Sequence, residues 1–135
     1  MTTLTPEQDT FLQTNRWSLV ATVGRSGAPQ VTMVAYHWDG TDIVMSTRRA
    51  AAKWANIAHH PLIGVTVTDD QRCLSLYGTA ERIADDPERE TLTRRVQASL
   101  LPDHAAQLER DFGKGLDVVG RVIIRLVPDR AIGRI

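Results

Sequence analysis

The residues best placed to do chemistry lie between positions 46 and 56: Ser46, Thr47, Arg48, Arg49, Lys53 and Asn56. Ile43-Val44-Met45 just before them is an apolar, β-favouring run, and Ala50 to Ala55 is dense in strong helix formers. The order predicts a strand running into a helix, with Thr47 as the helix N-cap and Arg48, Arg49 and Lys53 in its first turns. A helix start offers unpaired N–H groups and the positive end of the macrodipole, so three cations and no acid there suit an anion such as a phosphate. The opposing reading is a solvated helix start whose cations sit on the unfavourable side of the dipole. On that helix Ala50, Trp54, Ile57 and Ala58 form the buried face, and Arg49, Lys53 and Asn56 a neighbouring stripe.

Other groupings are weaker. His37, His59, His60 and His104 have no acid at ligand spacing, and adjacent histidines at a helix end cannot both point inward, so no metal site is expected. Nothing in the sequence activates Cys73 as a nucleophile, so it reads as a small buried hydrophobe. No pair of groups demands a general acid or base, and no catalytic residue is assigned. Tyr36, Trp38, Trp54 and Tyr77 read mostly as core or interface rings, with Tyr36 or Trp38 able to border a flat ligand.

The elements that must position these residues follow from turn chemistry and periodicity. Thr5-Pro6-Glu7-Gln8 carries a capping box and opens a helix to about Asn15. Strands are expected over 17–23, 30–38, 43–46, 62–68, 73–80 and 118–127, with Asp39-Gly40 and residues 69–72 as hairpin links. His59-His60-Pro61 ends the second helix. A third helix covers 86–99, a short one follows Pro102 to about Phe112, and Gly113-Lys114-Gly115 is a loop. Six largely antiparallel strands with inserted helices close most simply as one small β-barrel domain spanning residues 1–135.

Composition narrows the functions. The chain has 135 residues, with 16 Lys and Arg against 16 Asp and Glu. That balance argues against nucleic acid and anionic membranes, which select basic surfaces. With one cysteine, no run long enough to cross a bilayer and no leader-like segment, a cytoplasmic protein is expected. Residues 81–112 hold eight acids and five bases, whereas 121–135 hold four arginines and one aspartate. The basic end therefore balances the acidic segment or adds to the positive field near Thr47.

Leu19 to Val23 with Gly27-Ala28-Pro29-Gln30-Val31 resembles the opening hairpin of the split β-barrel flavin-binding superfamily, which includes pyridoxamine 5′-phosphate oxidases and deazaflavin-dependent oxidoreductases. Val34 to Gly40, then Ser46-Thr47 with Lys53, Asn56 and Pro61, follows the same family in order and spacing. Leu76-Tyr77-Gly78-Thr79-Ala80 and the tail from Arg121 to Gly133 extend the likeness. Within the group the chain is most similar to the B group of reductases that use coenzyme F420. It departs from them at Ala51, where relatives often carry a basic residue, so Arg48 or Arg49 is the candidate substitute.

The resemblance implies a homodimeric six-stranded split barrel with cofactor sites at the interface. The flavin ring would lie against Val31, Thr32 and Met33, and the phosphate on Ser46, Thr47, Arg48, Arg49, Lys53 and Asn56. It implies hydride transfer between reduced F420 and a small unsaturated substrate. The alternatives are an FMN-dependent oxidase or reductase, and a non-catalytic carrier of a flavin or haem-like ligand.

Overall fold

The computed structural model describes residues 3–135. In chain order the elements are α1 (Pro6–Thr14), β1 (Trp17–Val23), β2 (Pro29–Trp38), β3 (Ile43–Arg48), α2 (Ala52–His59), β4 (Leu62–Thr68) and β5 (Cys73–Ile83). They continue with α3 (Glu88–Ala98), α4 (Pro102–Lys114), α5 (Leu116–Val119), β6 (Arg121–Leu126) and β7 (Arg130–Arg134). The strand order β4-β1-β2-β3-β6-β5 closes through β4–β5 pairing, every pair antiparallel. This is a six-stranded antiparallel barrel with flanking helices. The expected set of six strands gains a seventh. After Pro128 the chain resumes as β7 along the first half of β5, pairing Tyr77 with Arg130 and Cys73 with Arg134.

Local chemistry explains most boundaries. The Thr5 hydroxyl accepts from the Gln8 amide at 3.1 Å, and the Gln8 side chain accepts from the Thr5 amide at 2.9 Å. Asp39 Oδ1 accepts from the amides of Thr41 and Asp42, both at 2.8 Å, and Gly40 takes φ +97° to complete that hairpin. Gly78 is needed for another reason: a Cβ there would lie 2.9 Å from the Val127 carbonyl oxygen, where the chain passes from β6 towards β7.

Alternation on the strands separates two apolar regions. Val20, Tyr36, Met45, Leu76, Ile124 and Leu126 fill the barrel interior, and Phe11 and Leu12 of α1 cap it. The Tyr36 hydroxyl donates to the Leu12 carbonyl at 2.7 Å, and Trp38 Nε1 donates to Asp9 Oδ1 at 2.7 Å. These bonds satisfy the polar tips of buried rings. The second cluster lies outside the barrel: Val44, Ile83 and Ile123 meet Leu92 and Val96, which seats α3 on β3, β5 and β6. A buried arginine fastens the same helix. Arg89, 3% exposed, donates to Asp86, to Asp117 Oδ1 at 2.6 Å and to the Arg121 carbonyl.

Several expectations need correction. Thr47 does not cap α2, because β3 continues through Arg48 under the pull of its ladder with β6, where Thr47 faces Val122 and Arg48 faces Arg121. Ala51 holds the N-cap position with no side-chain bond. Arg48 and Arg49 therefore precede α2, and Lys53 is the only cation in its first turn. Ala50 falls outside the helix, and Ala58, like Ala50, is exposed; Trp54 and Ile57 alone form the buried face. Cys73 is exposed because it starts β5 at the barrel's end. Val118 and Val119, read from β-branched composition as the start of the last strand, belong with Leu116 and Asp117 to a turn of helix between Gly115 and Gly120, both at positive φ. Gly113 and Lys114 belong to α4 for the same reason: the chain turns at Gly115 and not before.

Candidate functional site

The outer face of β2 and β3, the start of α2, and the α3–α4 pair enclose a cavity of about 510 Å³. That volume lies within the usual range for small-molecule sites. Met33 and Ala35 of β2 and Val96, Leu100 and Leu108 of the helices supply its apolar walls. Trp17 meets the edge of His104 across it, ring centroids 5.1 Å apart at 78°. Ser46, Thr47, Arg48, Lys53, Gln107 and Arg121 supply polar atoms, and among the described residues no acid lines it.

Charge there is uneven in a useful way. Lys53 Nζ donates to Thr32 Oγ1 at 3.2 Å, and among the described residues no carboxylate pairs with it. Burial pulls its pKa below the ordinary lysine value. The Ser46 hydroxyl is buried and has no hydrogen-bond partner among the described residues. At the start of α2 the Trp54 amide donates to the Ala51 carbonyl at 3.1 Å, while the Ala52 and Lys53 amides have no intrahelical acceptor and Ala51 offers no side-chain cap. Lys53, Ser46 and the residues leading into α2 thus line one concave space, an arrangement that fits an anionic group.

The two arginines of the loop have different surroundings. Arg49 lies outside the cavity lining and pairs with Asp117 at 3.3 Å. Arg48 lines the cavity; it donates to the Val119 carbonyl at 3.1 Å and reaches Asp111 Oδ2 at 3.5 Å. Asp111 is 1% exposed and also accepts from Arg121 Nε at 2.9 Å and Gln107 Nε2 at 3.2 Å. Burial pushes its pKa up, but the Arg121 hydrogen bond and charge, with help from Gln107 and Arg48, outweigh that and hold it below the ordinary carboxylate value.

Of the residues expected from sequence, Met33, Ser46, Thr47, Arg48 and Lys53 are brought together on the cavity. Thr32 touches it through its bond to Lys53. Val31 is 59% exposed on the barrel's outer face. Asn56 turns to the barrel and donates to Thr22 Oγ1 at 3.0 Å and Gln30 Oε1 at 3.1 Å. Sequence reading missed Trp17, Leu100, His104, Gln107, Leu108 and Arg121. The pairing of Arg48 with Arg121 across the ladder was the signal, and only the register reveals it. In the basic C-terminal strand Arg121 lines the cavity, while Arg125 pairs with Glu81 at 2.7 Å and Glu88 at 3.4 Å.

Among the described residues no three His, Cys, Asp or Glu side chains are grouped to hold a metal, and no helix is long and apolar enough to cross a membrane. No curated protein sequence matches the chain significantly. Among solved structures it is similar to a conserved hypothetical protein from Mycobacterium tuberculosis, with TM-score 0.77 and 21% identity over 96% of this chain and 84% of that one. It is also similar to an F420 reductase, with TM-score 0.67 and 25% identity over 92% and 94% of the two chains. A haem-binding protein from Mycobacterium smegmatis shares the fold at TM-score 0.73 and 17% identity, over 99% of this chain but 55% of that one. The barrel and its family match over residues 4–131 make this chain a member of the pyridoxamine 5′-phosphate oxidase family, whose members bind flavin-type cofactors.

Proposed function

We propose that this protein is an F420-dependent oxidoreductase that moves a hydride between the reduced deazaflavin and a small unsaturated organic substrate. The observation that carries the reading is Lys53, a half-buried cation that among the described residues has no carboxylate partner, on one cavity with the Ser46 hydroxyl and the residues leading into α2. These groups and Thr47 would hold the phosphate, with Arg48 next to them. Thr32 and Met33, and Val31 further along β2, would border the ring. Arg49 and Asn56 serve by fixing the loop and α2, the first through Asp117 and the second through Thr22 and Gln30.

When bound, the deazaflavin supplies the hydride. The chain's own residues then need only bind, orient and exclude water, which suits a site without an acid–base pair. The likeness to an F420 reductase at 25% identity supports the deazaflavin over FMN. Fluorescence titration of the purified protein with F420 and with FMN tests this, followed by turnover of reduced F420 against enones and quinones. Deazaflavin binding with turnover is expected. Protein that arrives with tightly bound FMN and ignores the deazaflavin would refute the assignment. Binding without turnover, extended to tetrapyrroles, would make the protein a carrier.

The same reading includes a homodimer. Leu19, Val31, Met33, Leu62, Tyr77 and Ile132 are exposed, and the register puts all of them on one outer face of β1, β2, β4, β5 and β7. A face with that many exposed apolar side chains marks an interaction surface, and Met33 joins it to the cavity. Sedimentation analysis should give a dimer at micromolar concentration; a monomer would leave this face without its occupant.

A further inference from the structure

Arg48 and Arg121 face each other directly across the β3–β6 ladder, a like-charge pair that is unfavourable by itself. One buried carboxylate bridges them. Asp111 Oδ2 takes Arg121 Nε at 2.9 Å and Arg48 Nη2 at 3.5 Å, and its other oxygen takes Gln107. Arg121 is thus held by the nitrogen nearest its stem. Among the described residues its two terminal nitrogens have no acceptor, although the side chain is only 17% exposed and lines the cavity. Four N–H donors in a planar fork remain for something inside the cavity.

We propose that the Arg121 fork, aimed by Asp111, is a second anion subsite that binds a carboxylate carried by the substrate. A guanidinium fork matches a carboxylate with two parallel bonds. Leu100 and Leu108 in the lining of the same cavity suit the apolar body of an unsaturated acid. The inference rests on the oxidoreductase reading only in calling that acid a substrate; Lys53, Ser46 and the start of α2 are separate groups left for the cofactor phosphate. Asp111 has no place on the cavity lining and acts as a positioning residue.

Calorimetric titration of the protein with trans-cinnamate and with uncharged cinnamamide tests the subsite. Wild type should prefer the carboxylate by about ten-fold or more, the worth of one charge-assisted pair. Arg121→Gln should remove the preference. Arg121→Lys keeps a cation for Asp111 but loses the fork, so its preference should also fall, and it decides the matter if the glutamine variant does not fold. Lys53→Ala should keep the preference. Equal binding of the two probes by wild type, no cinnamate binding, a preference that survives both Arg121 variants, or one lost equally in Lys53→Ala would each overturn the subsite. F420 titration of the Arg121→Lys variant should give wild-type affinity, and a matching loss there would assign the fork to the cofactor instead. Should wild type bind neither flavin nor deazaflavin yet keep the cinnamate preference, the oxidoreductase reading fails and the subsite stands.

Discussion

Ile123→Ala should lower folding stability by about 2–5 kcal/mol, the range for truncating a fully buried isoleucine. For a chain of this size that corresponds to a fall of roughly 10 °C or more in Tm. Ile123 is fully buried on the outer side of β6, where it packs with Val44, Ile83, Leu92 and Val96. The loss should not stop at stability. That cluster seats α3, and α3 supplies Val96 and leads to Leu100, both walls of the cavity. Cofactor affinity should therefore fall with stability, whereas Ile124→Ala, whose side chain faces the barrel interior, should cost similar stability with less effect on the site. Chemical denaturation together with F420 titration separates the two. Equal affinity losses in both variants would mean that α3 is not seated independently of the barrel core.

Lys53→Ala should weaken cofactor binding by roughly ten- to a hundred-fold, equivalent to about 1.5–3 kcal/mol for a charge-assisted bond to phosphate. Stability should stay level or rise slightly. Among the described residues this ammonium has only the Thr32 hydroxyl as partner, and burial already disfavours its charge, so removing it forfeits no ion pair. The same fact makes it available to a ligand. Arg49→Ala should have a smaller effect on affinity, because Arg49 is committed to Asp117 outside the cavity. Fluorescence titration with F420 and FMN measures both variants, and thermal melts check stability. Wild-type affinity of Lys53→Ala for both cofactors would move the phosphate grip elsewhere.

The sequence by itself determined the elements whose signals are local. The Thr5–Gln8 capping box, the Asp39-Gly40 turn and the antiparallel hairpins depend on contacts a few residues apart, and they stand where patterning places them. The resemblance in residues 10–84 likewise carried the barrel class. Tertiary structure decided what depends on distant partners. Thr47 and Arg48 have the local setting of a helix start, yet ladder bonds to Val122 and Arg121 keep them in β3. Arg48 and Arg49 are neighbours of equal charge, and only the positions of Asp111 and Asp117 send one to the cavity and the other away from it. The cavity's second wall comes from helices whose sequence shows an apolar stripe, Leu92, Val96 and Leu100, but not the strand on which it packs. Nothing local in residues 96–121 announces that they close over Lys53, because the contacts that hold them there are made with β3 and β6, far away in the chain.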